Sequence, residues 1–245
     1  MQIRFVGCGD AFASGGRFNT CFHVTGEKVN FLIDCGASSL IALKNNRIVL
    51  NEIETILVTH FHADHFGGIP FFLLDAQFFS KRTQRLAIAG PPGLREWLGR
   101  VMETSFPGSS ETIRRFEFSA VELQPREMVA LGELRVTPFL VNHGNVRELS
   151  FAYRIEAEGR TLAYTGDTEW TQELVEAGRN ADLFIAEAYF HSKNIKYHLG
   201  LAALMEHLPS VSPKRVILTH MSEDMLSHLS NVPYEVAEDG KTIEV

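Results

Sequence analysis

Short apolar runs bounded by turn-forming residues recur along the whole chain, and amphipathic stretches separate several of them. The runs Gln2 to Gly7, Phe31 to Ile33, Thr55 to Val58, Leu134 to Thr137, Thr161 to Tyr164, Leu183 to Ile185 and Val216 to Leu218 are rich in β-branched and aromatic residues. Their length and composition predict buried strands. Helix-period segments fall at residues 38–45, 68–79, 93–103, 171–178 and 200–208, the fourth with Thr168 or Thr171 as its cap. Alternating strands and helices place the chain in the α/β class. The end of the chain alternates on both sides of Asp239-Gly240 and reads as a hairpin over 234–245 that closes a sheet edge. Residues 104–127 are rich in Ser, Pro, Gly and charge, which predicts a surface connection bordering a cleft. No linker divides the chain, so 1–245 is expected to form a single domain.

Two predicted strands end alike: Glu54 to His60 and Lys214 to His220 both finish in Thr-His, so each delivers a histidine at a strand terminus. Directly after the first comes His60-Phe61-His62-Ala63-Asp64-His65, four metal-ligand side chains in six residues. Imidazole and carboxylate suit Zn, Fe or Mn. Alternate positions of an extended segment face the same way, so His60 and His62 can share one ion. A turn permitted by Gly67 and Gly68 can aim Asp64 and His65 at a second. Two ions need further ligands, and His143, Asp167 and His220 each follow a predicted strand. In open α/β sheets, sites form beyond the carboxyl ends of strands, where these residues can converge with the hexad.

Charge narrows the partners. Thirty acidic against 23 basic residues give a net charge of −7, the wrong sign for gripping extended nucleic acid, while bound divalent ions would still draw in a small anionic substrate. Cys8, Cys21 and Cys35 form no C-x-x-C pair and sit in apolar surroundings, as in a reduced, cytoplasmic protein. The N-terminal strand leaves no room for an export signal, and the apolar stretch Ile69 to Leu74 is far short of the roughly 20 residues that span a bilayer. If helical, the segment Pro70 to Phe79 is apolar nearly all round, which leaves core burial and a two-fold dimer interface both open.

Taken in order, Asp34, His60 to His65, His143, Asp167 and His220 resemble the five motifs of the metallo-β-lactamase fold superfamily over nearly the full chain. The resemblance implies a four-layer αβ/βα sandwich with two metals, zinc first and Mn or Fe as alternatives, at one edge. It implies that His60, His62 and His143 hold the first ion, that Asp64, His65 and His220 hold the second, and that Asp167 bridges them. Asp34 would orient the ligand loop, or be only a turn carboxylate. A histidine at His62 departs from the flavodiiron branch, and an aspartate at Asp167 departs from the zinc β-lactamases.

Two further features resemble ribonuclease Z and its phosphodiesterase relatives. The opening from Gly7 to Thr20, with Arg17 and Asn19, is similar to that family's glycine-rich loop, whose amides and arginine could face a phosphate; glycine there can also be purely geometric. Glu187 with His198 resembles the family's Glu-His pair, in which the histidine protonates the leaving oxygen. Two departures stand against transfer RNA as substrate. Asp167 follows His143 by only 24 positions, too few for the protruding arm, and Leu199-Gly200 follows His198 where the family carries hydroxyl residues. The expected enzyme is a dinuclear hydrolase acting on a small phosphodiester, a cyclic nucleotide or similar, by attack of a metal-bridging hydroxide, with Asp64 handling the water proton and His198 the leaving alkoxide. A lactone or thioester hydrolase, a ribonuclease Z-type endonuclease and a non-catalytic metal-binding module are the alternatives.

Overall fold

The computed structural model describes residues 1–144 and 149–245. Six strands, β1 (Gln2–Gly7), β2 (Cys21–Thr25), β3 (Asn30–Ile33), β4 (Thr55–Leu57), β5 (Leu86–Gly90) and β6 (Phe118–Glu122), belong to a first sheet. A second contains β7 (Val129–Leu131), β8 (Leu134–Val141), β9 (Ser150–Ala157), β10 (Arg160–Tyr164), β11 (Leu183–Glu187) and β12 (Val216–Thr219). The last two strands are shared out, β13 (Glu235–Val236) to the edge of the second sheet and β14 (Thr242–Glu244) to the edge of the first. Each sheet is mixed: β3 to β6 and β10 to β13 run parallel, and the remaining neighbours pair antiparallel.

The period of two along each strand builds the layers. Phe31 and Ile33 of β3 and Phe151, Tyr153 and Ile155 of β9 fill the space between the sheets. The intervening Leu32 packs outward under helices α1 (Ser39–Asn45), α3 (Ile69–Leu74) and α4 (Leu94–Ser105). On the far side, Ala152, Phe184 and Leu218 pack under α5 (Glu173–Gly178) and α6 (Leu201–Val211). Two mixed sheets flanked by helices reproduce the expected αβ/βα architecture.

Several expectations are corrected. The C-terminal segment is not a hairpin: β13 pairs parallel with β12, and β14 pairs antiparallel with β1. The turn between them is captured by the first strand, where Gly240 N donates to Phe5 O and Phe5 N to Lys241 O, and Asp239 accepts from the amides of Cys8 and Phe18. Each strand therefore closes a different edge. Residues 104–127 are not all connection, because β6 lies among them and ends the first sheet. The helix expected over 68–79 is α-helical only to Leu74 and widens to a π turn over Asp75–Phe79, with Ser80 N reaching Asp75 O. Its Phe72 and Leu73 are buried, whereas Phe71, Phe78 and Phe79 are exposed. Helix α6 runs past Pro209 to Val211 and ends where Ser212 turns left-handed.

This topology brings chemistry to one edge. Strands β3, β4, β8, β10, β11 and β12 deliver Asp34, the hexad, His143, Asp167, Glu187 and His220 from their carboxyl ends. No helix among the described residues is long and apolar enough to cross a membrane.

Candidate metal centre

The ligand-bearing loop leaves β4 extended through His62, then makes the single helical turn α2 (Ala63–Phe66). Gly67 and Gly68, expected to supply an unusual turn, both have ordinary helical φ values of −64° and −80°. Space is what glycine provides here. A Cβ on Gly68 would lie 2.2 Å from the Gly36 carbonyl, and one on Gly36 would lie 2.1 Å from that of Asp64. The turn after β3 and the ligand loop thus press backbone to backbone. Asp34 and His220 hold φ of 58° and 55°, a region in which Asp and His are among the more tolerant side chains.

The predicted ligands meet in two groups. His60, His62 and His143 form one, and Asp64, His65, Asp167 and His220 the other, each with its ligand atoms within 4.8 Å of one another, so either could hold a metal ion. His62 Nδ1 and His143 Nε2 are 3.1 Å apart. Asp64 Oδ2 lies 3.3 Å from His65 Nε2 and 3.2 Å from His220 Nε2. Asp167 reaches across: Oδ1 is 3.3 Å from His65 Nε2, while Oδ2 is 3.3 Å from His220 Nε2 and 3.8 Å from His143 Nε2. The donor set fits a metal, because His60 Nε2, His65 Nε2 and Asp167 Oδ1 are buried without a hydrogen-bond partner, and orphaned buried polar atoms are otherwise costly.

Outer contacts fix the rings. His65 Nδ1 donates to Asp34 Oδ2 at 2.7 Å, and Asp34 also accepts the amide and hydroxyl of Thr59. Thr59 Oγ1 in turn lies 3.1 Å from His60 Nδ1. His143 Nδ1 donates to the Tyr197 carbonyl at 2.8 Å. Such partners set the tautomer and leave the other ring nitrogen for a metal. Thr59 and Tyr197 are contributions that the sequence reading missed. The Thr-His repeat marks the first, but nothing local marks the second.

Charge is partitioned between the groups. Burial, and then the neighbouring His65, push the pKa of His60 well below its ordinary value, which favours the neutral ligand form. Burial also opposes charge on His65 and His220, but Asp167 beside each, with Asp64, outweighs it. His65 is raised well above its ordinary range and His220 to about 10. Metal uptake therefore competes with protons, and loading the metal-free protein at pH 8 should release about two of them, read by calorimetry in buffers of differing ionisation enthalpy. A raised imidazole pKa stabilises below the unfolded value and loses its effect as pH climbs through the folded one. The melting temperature of the metal-free protein should accordingly fall between pH 6.5 and about 10, and that of the loaded protein should stay flatter. Equal stability of the metal-free protein across that interval would contradict this charge assignment.

Glu187 and His198 stand beside the second group. Glu187 Oε1 accepts from His198 Nδ1 at 2.5 Å, and Oε2 accepts the amides of Thr168 and Leu199 at 2.9 and 3.0 Å. The Tyr189 ring stacks on His198 with centroids 4.5 Å apart. Arg17 and Asn19, expected to face a phosphate, are engaged elsewhere. Arg17 Nη1 donates to the Ala237 carbonyl at 2.9 Å, and Asn19 bonds to the Asp10 carbonyl and to Ser38. The amides of the glycine-rich loop from Phe12 to Arg17 are likewise spent. Asp10 takes those of Phe12, Ala13 and Ser14, Glu223 takes Gly15, Ala13 takes Gly16, and Ser14 takes Arg17. A cavity of about 290 Å³ opens over the histidines, lined also by Phe61, Lys196 and Tyr197.

Known proteins resemble this chain over nearly its whole length. Ribonuclease Z of Saccharolobus islandicus (strain L.S.2.15 / Lassen #1) is 28% identical over 94% of this chain and 92% of its own, and that of Methanosarcina acetivorans is 24% identical over 91% and 88%. Among solved structures, human tRNase Z, short form (ELAC1), superposes with a TM-score of 0.80 at 25% identity over 100% of this chain and 99% of its own. The metallo-β-lactamase fold protein YhfI of Bacillus subtilis gives 0.78 at 19% identity over 99% of each chain. These likenesses place the chain among metal-dependent hydrolases of the metallo-β-lactamase fold, in the branch of ribonuclease Z and the phosphodiesterases. Within that branch, the model of the Anti-Pycsar protein Apyc1 family matches residues 1–241, and the chain belongs to that family.

Proposed function

We propose that the protein hydrolyses a small phosphodiester of the cyclic-nucleotide kind, using two divalent ions, zinc first, with His198 as general acid. The hydrogen bond between half-buried His198 and buried Glu187 carries this reading. An alkoxide expelled from a phosphodiester is a poor leaving group and needs a proton, whereas a thiolate leaves without one. An imidazole whose Nδ1 is held by a carboxylate has Nε2 as its one remaining proton donor. Bound in the two clusters, the ions would supply an activated water and polarise the phosphoryl oxygen. His60, His62 and His143 would hold one, Asp64, His65 and His220 the other, with Asp167 between them. Asp64 remains charged, because His65 and His220 outweigh the burial that opposes it, and can orient the water proton.

Size supports a small substrate. The cavity is at the lower end of the ~300–1,000 Å³ usual for ligand sites. Among the described residues, the connection from His143 to Asp167 is mostly the hairpin β9–β10, tightly turned at Glu158-Gly159 with φ of 52° and 71°. Its length of 24 positions argues against an RNA-clamping arm. The exposed Phe71, Phe78 and Phe79 support a homodimer, and three buried unpaired cysteines support a reducing, cytoplasmic setting.

A panel with zinc or manganese supplied tests the reading: nucleoside 3′,5′-cyclic phosphates, a precursor transfer RNA, a lactone and a thioester. The cyclic phosphates should be turned over at least tenfold more efficiently than the others. Turnover confined to the lactone or thioester would sink the phosphodiesterase reading, and preference for the RNA, as in the similar ribonuclease Z proteins, would replace it.

A further inference from the structure

Arg17, Asn19 and the loop amides from Phe12 to Arg17 are engaged inside the fold and no residue of that loop lines the cavity, which makes the groups that do line it the candidates for substrate recognition. Among the described residues, Lys196 is the one Lys or Arg that does so, and Phe61 and Tyr197 are its aromatic side chains apart from the histidines. The Phe61 ring and the Tyr197 backbone are held in place. Phe61, set between His60 and His62, lies nearly parallel to Trp97 at 6.0 Å between centroids and meets Phe66 edge-on at 5.8 Å. Tyr197 is 39% exposed and holds φ of +71°, a conformation that an aromatic residue adopts only when its surroundings impose it. Those surroundings belong to the centre itself: the Tyr197 carbonyl accepts His143 Nδ1, and its amide donates to Glu169 Oε2 at 3.3 Å. The same strained peptide therefore orients a metal-ligand ring and presents an aromatic side chain beside it.

We propose that Phe61, Lys196 and Tyr197 are the specificity-determining residues of this site, the two rings stacking a planar base and the ammonium pairing with a non-bridging phosphate oxygen. This rests on the phosphodiesterase reading and adds a prediction that the reading alone does not make: the base is recognised separately from the phosphate. Aromatic faces accept any base, so they favour base-bearing substrates over base-free ones without reading hydrogen-bond patterns. The single ammonium acts on either kind equally.

The test compares the four common nucleoside 3′,5′-cyclic phosphates with 1-O-methylribose 3′,5′-cyclic phosphate, which has no base. Tyr197→Asn removes the ring while keeping a residue that tolerates the left-handed backbone. In that variant and in Phe61→Leu, the ratio of kcat/KM for base-bearing over base-free substrate should fall about tenfold, within what one stacked base contributes. Tyr197→Phe should preserve the ratio. Lys196→Gln should lower kcat/KM about tenfold for both kinds, as loss of a charge-assisted hydrogen bond does, and leave the ratio in place. Metal content and melting temperature of each variant show that the centre is intact. A ratio unmoved by Tyr197→Asn, or moved as much by Lys196→Gln, overturns the assignment. A wild-type protein that turns over neither kind overturns the phosphodiesterase reading as well, whereas turnover of both with an unmoved ratio overturns this inference alone.

Discussion

Replacing His198 by alanine should lower kcat on a nucleoside cyclic phosphate about 10²- to 10⁴-fold while leaving the metal content unchanged. That is about 3–5 kcal/mol of transition-state stabilisation, assigned to one proton delivered to the leaving alkoxide. The structure supplies what an acid needs. Glu187, buried and anchored by two backbone amides, holds Nδ1, and Tyr189 stacks on the ring face. Burial opposes the imidazolium, but the hydrogen bond and charge of Glu187 outweigh it, so the His198 pKa is raised from its ordinary 6.5. More of the acid form is then retained as pH rises than in a free imidazole, and activity should decline on the alkaline side. Glu187→Gln, which removes the charge that raises that pKa, should move the alkaline limb to lower pH. Changing the leaving group separates an acid from a merely structural histidine. With p-nitrophenolate, which departs without a proton, His198→Ala should lose far less than on the cyclic phosphate. Equal losses on both, or loss of metal from the variant, would remove His198 from the acid role.

A larger loss is expected at Asp167. Its two oxygens approach His65, His220 and His143, and no other carboxylate among the described residues joins both ligand groups so directly. Asp167→Asn keeps the shape and removes the charge, and should cost at least one bound ion per chain and about 10³-fold or more in kcat, beyond the roughly 10–100-fold of an outer-contact change. Asp34→Asn provides that comparison. Asp34 touches His65 Nδ1 and Thr59 but approaches no shared position, so metal should bind more weakly and be restored at higher concentration. Elemental analysis alongside kcat distinguishes the two. Two ions retained by Asp167→Asn would show that the groups are not bridged there.

The proposed roles differ in how much of each was legible beforehand. His60, His62, Asp64, His65, His143, Asp167 and His220 stood out because ligand chemistry is a property of the side chain, and because each follows an apolar run whose period marks a strand. Where parallel strands end is a local feature, and the fold class converts it into a common edge. The Glu187–His198 pair was visible only through resemblance, since ten residues of irregular chain separate two groups that meet at hydrogen-bond distance.

What the amino-acid order determined by itself was the alternation of strand and helix, the ligand types and their placement at strand ends, all of which depend on neighbours along the chain. The tertiary structure decided which partner each polar group takes. Arg17 meets the Ala237 carbonyl 220 residues away, and Asp239 draws the last turn onto Cys8 and Phe18, splitting an apparent hairpin between two sheets. Tyr197 became part of the centre because folding carried its carbonyl to His143. Hydrogen bonds are short-ranged and indifferent to sequence separation, so such pairings exist only once the two sheets have packed.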